Sequence, residues 1–214
     1  MTWAGNDVTA LADRAELLRR PDRRAVLGIA GAPAAGKSTL AELLLAELQR
    51  RHPDEVVLVG MDAFHLGQSV LERHGLAPVK GAPQTFDALG YAAVLRRIRE
   101  TDETVFAPEF RREIEDSIAQ TVEVTPRTRL VLTEGNYLLL PTEPWTEVRP
   151  LLDEAWFVHL EDDERRRRMI NRHRRFGRSL EMATARTMGS DESNAVLVNS
   201  AQNKPDLLIE HTGS

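Results

Sequence analysis

The stretch Gly31-Ala32-Pro33-Ala34-Ala35-Gly36-Lys37-Ser38 constrains this chain more than any other, because it fits the pattern G-x-x-x-x-G-K-[ST]. Its surroundings agree with the match. Ala25–Ala30 reads as a short buried strand, and Thr39 to Arg51 reads as a helix with Leu40, Leu43, Leu44 and Leu48 on one face. A glycine loop between a strand and a helix does more than turn the chain. Gly31 and Gly36 allow backbone conformations closed to other residues, so the loop amides can converge on phosphate oxygens at the positive end of the helix. Gly31, Ala32, Pro33, Ala34, Ala35, Gly36, Lys37, Ser38 and Thr39 are therefore the candidate nucleotide-binding residues. Lys37 is expected to reach the terminal phosphates and Ser38 to hold Mg²⁺. The competing reading, an ordinary strand–helix turn, leaves both the lysine and the spacing unexplained.

Composition narrows the class. The chain has 214 residues, 42% hydrophobic and 29% charged, which suits one globular domain with a full core. A formal net charge of −5 argues against general nucleic-acid binding. The absence of cysteine excludes disulfides and thiolate metal sites. No apolar run approaches the ~18 residues of a membrane span, and the first residues lack the apolar core of a signal peptide. A cytoplasmic enzyme with no membrane partner is the default.

In chain order, Asp7 is placed to cap a first helix running through Leu11, Leu17 and Leu18. Val56–Gly60 reads as a second buried strand that ends on Met61-Asp62-Ala63-Phe64-His65. Acidic and imidazole groups just past a strand's C-terminal end lie where open α/β sheets bind ligands. Residues 67–86 look loop-like, broken by Gly75, Pro78, Gly81 and Pro83. A helix follows from Asp87 to Glu100, with Leu89, Val94, Leu95 and Ile98 as its expected buried side. Residues 105–117 suit a surface excursion, and Thr121–Val124 a solvent-facing strand. Further buried strands are expected at Leu130–Gly135, Trp156–Leu160 and Leu207–Ile209, and a helix over Ala195–Val198. Strands alternating with helices imply a parallel sheet with right-handed crossovers. No internal repeat, low-complexity segment or linker interrupts the chain.

Glu161-Asp162-Asp163-Glu164 precede Arg165, Arg166, Arg167, Arg168, Arg172, Arg174, Arg175 and Arg178. Acids first and arginines last suit a helix dipole. The segment is either a solvated charged helix or, with a phosphate loop in the same chain, a lid that closes over phosphates with two or three of its arginines.

Two enzyme classes compete for such a loop: small-molecule kinases, and GTPases or other ATPases that do mechanical or signalling work. Asn203-Lys204-Pro205-Asp206 spells N-K-x-D, a guanine-reading motif, but it precedes its strand instead of following one. A D-x-x-G switch is also missing, since Thr133-Glu134-Gly135-Asn136 stands in its place. A kinase needs a base for the acceptor hydroxyl, ligands for Mg²⁺ and cationic cover for the transferring group. Asp62 is placed to be the base, or else caps a turn. Glu134 can bind Mg²⁺ directly or through water, and His65 is either a loop histidine or a substrate ligand.

Four motifs in order carry a resemblance: the phosphate loop, Met61–His65, Lys80-Gly81-Ala82-Pro83-Gln84-Thr85-Phe86-Asp87, and Glu134-Gly135-Asn136-Tyr137-Leu138-Leu139. From about residue 27 to 209 the chain resembles the phosphoribulokinase/uridine kinase family, nearest to bacterial pantothenate kinase and its short relatives described as nucleoside or fructose-transport kinases. The resemblance implies a three-layer α/β P-loop NTPase fold over 1–214, a five-stranded parallel sheet of order 2-3-1-4-5, and an arginine-rich lid at about 162–180. It implies ATP as donor and a primary hydroxyl on a small metabolite as acceptor, whether pantothenate, a nucleoside or a sugar, and it suggests a homodimer. Asp62 and Lys37, with Arg168 and Arg172 of the lid, match catalytic positions, and Arg178 matches a nucleotide contact. His65, Lys80, Phe86, Asp87, Phe110, Arg112, Asn136 and Tyr137 fall where the family meets its substrate, Asp87 where nucleoside kinases grip ribose hydroxyls. There are two departures. Arg111 stands where the short relatives commonly carry an acid, and the aromatic-and-histidine pattern of uridine kinases after the Pro108 position is missing.

Overall fold

The computed structural model describes residues 2–3, 8–200 and 204–212. Its elements run β1 (Thr2–Trp3), α1 (Thr9–Glu16), β2 (Ala25–Gly31), α2 (Lys37–Arg51), β3 (Val56–Leu58), α3 (Gln68–Arg73), α4 (Ala88–Glu100), β4 (Val105–Arg111), β5 (Asp116–Val124), β6 (Leu130–Gly135), β7 (Glu154–His159), α5 (Asp162–Arg175), α6 (Leu180–Arg186), α7 (Glu192–Ser200) and β8 (Leu207–His211). Asp7 lies outside the described residues, and with it the expected cap of α1.

The main sheet is wholly parallel, in the order β1-β8-β7-β2-β6-β3. With the five expected strands numbered along the chain, this is the order 2-3-1-4-5, and β1 adds a sixth strand beside β8. Strand β2 is buried at every residue, as a central strand covered on both faces must be. Its alternate side chains feed two cores. Val26 and Ala30 pack with Tyr91, Ala92, Leu95 and Ile98 of α4 and Ala195 and Val198 of α7. Leu27 and Ile29 pack with Leu11, Ala12 and Ala15 of α1 and Leu40, Leu44 and Leu48 of α2. Each such leucine, fully buried, contributes about 1.5–3 kcal/mol. The result is three layers.

Several local expectations shift. Leu17 ends α1 at its C-cap and is exposed, so the helix buries Leu11, Ala12 and Ala15 instead. Leu89 is exposed, and the buried side of α4 is Ala88, Tyr91, Ala92, Leu95 and Ile98. The stretch 67–86 contains α3 and two short 3-10 turns, despite its glycines and prolines. The expected surface excursion and solvent-facing strand pair as one antiparallel hairpin, β4–β5. Arg24, buried, donates to the carbonyls of Ile98, Thr101, Asp102, Glu103 and Thr125, tying the end of α4 to both ends of this hairpin segment. Among the described residues no helix is long and apolar enough to cross a membrane.

Candidate active site

The loop between β2 and α2 keeps its backbone strained and its amides open. Ala34 and Gly36 both lie in the left-handed region, at φ 66° and 102°. Gly36 is the N-cap of α2 and supplies no side-chain cap. The first helical bond is donated by Leu40 to the Gly36 carbonyl, so the amides of Lys37, Ser38 and Thr39 precede the ladder and point out of the helix end. Gly36 is needed twice over: a Cβ there would come within 2.8 Å of His211 Nδ1 and 3.4 Å of Trp3. His211 donates from Nδ1 to the Ala35 carbonyl at 2.9 Å and stacks on Trp3 at 4.3 Å between ring centroids. The outer strands β1 and β8 thus buttress the loop from below, a role with no sequence signature.

Asp62 sits on a 3-10 turn, Met61–Phe64, directly after β3. Two features bring that turn against β6. Gly135 leaves room for Met61, whose Cβ would lie 2.5 Å from a Cβ at position 135. Thr133 donates to the Val59 carbonyl at 2.5 Å and is itself bonded to the Tyr91 hydroxyl at 2.5 Å, all in the buried interior. Asp62 then lies near Glu134, the penultimate residue of β6. Glu134 is buried, and its Oε2 stands 3.8 Å from Lys37 Nζ with no hydrogen bond among the described residues. Burial pushes the Glu134 carboxyl up, Lys37 opposes that, and Asp62 adds to it. A buried carboxylate oxygen without a donor, beside a hydroxyl-bearing Ser38, fits a hard divalent cation. No group of three or more His, Cys, Asp or Glu that could hold a metal occurs among the described residues, so such a cation would need ligand oxygens besides these.

A cleft of about 680 Å³ runs from Pro33 and Lys37 past Asp62 to α5 and α6. His65, Lys80, Phe86, Phe110, Arg112, Asn136, Arg172 and Arg178 all line it. His65 stacks on Phe86 at 3.8 Å, lies 5.4 Å from Phe110, and has Nδ1 2.9 Å from the Asp62 carbonyl. Burial pulls its pKa down. Arg112 reaches Asp62 at 3.2 Å and lies over Phe110. Asn136 presents a buried Oδ1 without a partner among the described residues.

Three expected site residues lie elsewhere. Asp87 accepts from the Gly90 amide as the N-cap of α4 and does not line the cleft. Tyr137 is fully buried, bonded to the Gly81 carbonyl at 2.6 Å and packed with Phe86 and Trp145, so it supports the wall from behind. Arg168 is held by Glu164 at 2.8 Å and approaches His211 at 3.3 Å, behind the loop. Arg111 pairs with Glu109 on the exposed face of the hairpin and lines neither cleft. Arg165 is buried between Asp162 and Glu192, and Arg166 also pairs with Glu192, so both are structural.

The cleft also takes residues that sequence reasoning missed. Arg186 of α6 donates to the Lys80 carbonyl at 2.9 Å, and Asn194 reaches the Gly81 carbonyl at 3.4 Å, so the helices beyond the arginine run clasp the 78–81 loop. His173 is bonded to Asp191 at 2.6 Å and to Arg178 at 2.7 Å. No spacing rule links these positions, which meet only through the fold. The N-K-x-D stretch is partly outside the described residues at Asn203, while Asp206 accepts from the Ala155 amide and from Arg149, each at 2.8 Å. Asp206 thus ties β8 to β7 as a structural residue.

No protein-family model matches the chain. A Schizosaccharomyces pombe protein named as a candidate uridine kinase is 32% identical over 208 residues, covering 94% of this chain and 88% of its own. The pantothenate kinase of Latilactobacillus sakei is 31% identical over 147 residues, covering 62% of this chain and 48% of its own. A crystal structure described as a candidate fructose transport system kinase from Silicibacter superposes with a TM-score of 0.85 at 33% identity, over 94% of this chain and 98% of that one. With the loop, the sheet order and these relatives in agreement, the chain belongs to the phosphoribulokinase/uridine kinase family of P-loop kinases.

Proposed function

We propose that the chain transfers the γ-phosphoryl group of ATP to a hydroxyl of a small metabolite, with Asp62 as the residue that receives the hydroxyl proton. The observation that carries this reading is the single cleft joining the phosphate loop, through Lys37, to Asp62. The amides of the loop and of Lys37–Thr39 bind the phosphate chain, and the Lys37 ammonium neutralises charge on its terminal oxygens. Ser38 and Glu134 would hold Mg²⁺, which would supply positive charge beside the phosphates. Arg172 and Arg178 cover the phosphates from the lid side. Asp62 orients the acceptor hydroxyl in line. As the new O–P bond forms, the bond from phosphorus to the β–γ bridging oxygen breaks, ADP departs, and the proton passes to the Asp62 carboxylate. A loose transition state needs little proton removal early, so an ordinary carboxylate suffices.

The acceptor is a pantothenate-, nucleoside- or sugar-like alcohol, and a cytoplasmic location goes with it. A panel of such acceptors with ATP and Mg²⁺, read by ADP release and product mass, tests the reading. Acceptor-dependent ADP release with a product heavier by one phosphoryl group is the expected result. GTP hydrolysis without transfer to any acceptor would contradict it.

A further inference from the structure

Residues 78–81 carry Lys80 to the cleft, yet no hydrophobic packing holds them there. Between Leu71 and Thr85 no residue is buried. The amides of this stretch make local bonds: Val79 donates to Leu76, Lys80 to Ala77, Ala82 to Val79, and Gly81 to the Thr85 hydroxyl. A segment without a core anchor takes its position from its polar ties. Arg186 of α6 donates to the Lys80 carbonyl at 2.9 Å and to the Pro78 carbonyl at 3.5 Å. The Gly81 carbonyl accepts from Tyr137 at 2.6 Å and from Asn194 of α7 at 3.4 Å. The Lys80 ammonium reaches the Glu115 carbonyl, in the turn of the hairpin, at 3.2 Å.

These ties differ in what stands behind them. Tyr137 is fully buried, and α7 buries Asn194, Ala195 and Val198. Both donors to Gly81 are therefore fixed by the core. Helix α6 is not. It buries Ala183 alone and leaves Leu180 and Met182 exposed. The break in helical geometry at Gly189 separates it from α7, and Gly177, at φ 87°, separates it from α5. So little apolar burial makes displacement of α6 cheap. Arg178 lies at its near joint and is bonded to His173, which is bonded in turn to Asp191 beyond Gly189. A movement of Arg178 is thus delivered to both ends of α6.

Resting on the kinase reading above, we propose that Arg186 is a positioning residue that couples the two ends of the cleft. Seating of the nucleotide phosphates under Arg172 and Arg178 steadies α6, and Arg186 then fixes residues 78–81 and Lys80 for the acceptor. A guanidinium suits the task, because its planar fork can serve two carbonyls where an ammonium is a single point charge. The coupling is reciprocal, so the fixed loop in turn favours seated nucleotide. Asn194 and Tyr137 take no part in it, because donors held by the core are the same whether or not α6 is steady.

Hydrogen exchange on the full chain, with and without a saturating non-hydrolysable ATP analogue and Mg²⁺, reads the coupling at the amides of residues 79–82. In the native chain the analogue is expected to slow their exchange by about 10–100-fold, the range of a hydrogen bond from a charged donor. In R186Q, residues 172–182 should still gain protection while residues 79–82 do not, and R186K should restore part of the gain. N194A should speed exchange of residues 79–82 in both states and leave the gain intact. A gain at residues 79–82 that survives in R186Q would overturn the proposal and leave Arg186 merely structural. A gain lost in N194A but kept in R186Q would move the coupling to α7 and overturn it too, as would failure of R186Q alone to bind the analogue, which would make Arg186 a nucleotide contact. Failure of the native chain to bind the analogue would instead refute the kinase reading, and this inference with it.

Discussion

The two ends of the cleft are built on different terms. At the proposed donor end the groups on offer are main-chain amides on a loop set between a fully buried strand and a leucine-faced helix, with Trp3 and His211 packed beneath Gly36. At the acceptor and lid end they are long side chains, Lys80, Arg112, Arg172 and Arg178, brought in from four separate segments. The donor end is complete before ligand arrives, because its geometry is the geometry of the fold. On the proposed reading ligand completes the lid end: Arg172 has no ion-pair partner among the described residues, while Arg112 pairs with Asp62 and Arg178 is bonded to His173. Backbone recognition is indifferent to what lies beyond the phosphates, whereas side-chain recognition can change acceptor with few substitutions.

The largest expected effect separates the two ends chemically. Asp62→Asn keeps the shape and removes the charge, and should lower kcat by about 10²–10⁴ with ATP affinity and Tm unchanged. Collapse of ATP binding with high residual turnover would make Asp62 a metal or structural residue. Lys37→Ala strikes the donor end, and should lower turnover by about 10²–10³ while also weakening ATP. Near-normal turnover in that variant would remove the phosphate-site assignment.

Those two candidates stand out in the sequence because they sit in contiguous motifs at strand ends, where loop chemistry and hydrophobic periodicity coincide, and both line one cleft. The sheet was legible for the same reason, as five apolar runs. What the sequence hid is long-range. Trp3 and His211 lie more than two hundred residues apart and meet through parallel pairing of β1 with β8. Arg186, Asp191 and Asn194 lie beyond the expected lid boundary and reach the cleft only because α6 and α7 fold back over the 78–81 loop. Leu89 was misassigned because helical periodicity locates an apolar stripe to within a residue, and Tyr91 and Ala92 supply the buried side instead.

A smaller effect probes how the turn bearing Asp62 is held. Thr133→Val leaves the Val59 carbonyl and the Tyr91 hydroxyl without their partner, at a cost of about 1–3 kcal/mol, or a fall in Tm of roughly 2–4 °C per kcal/mol. An unchanged Tm would show that the turn is fixed by packing alone. The smallest effect concerns the buttress. Burial holds the His211 pKa below the usual value of 6.5, with Arg168 adding to that effect. The unfolded chain therefore takes up a proton that the folded chain refuses. The stability contributed by neutral His211 is present above pH 6.5 and is lost as pH falls below it. His211→Gln should flatten part of that acid slope, to which His65, its pKa also lowered by burial, and paired carboxylates such as Asp153 and Glu192 contribute as well. A melting curve with the same slope in the variant would detach His211 from the loop's stability.

The central claim is that ATP is held between a preformed loop and a lid that ligand completes. Hydrogen exchange with and without a non-hydrolysable ATP analogue tests it most directly. The account predicts that the amides of β2 and of the α2 interior are protected in both states, while residues 172–186 gain protection only with the analogue. Equal exchange of residues 172–186 in the two states would contradict it and return the arginine helix to a solvated surface.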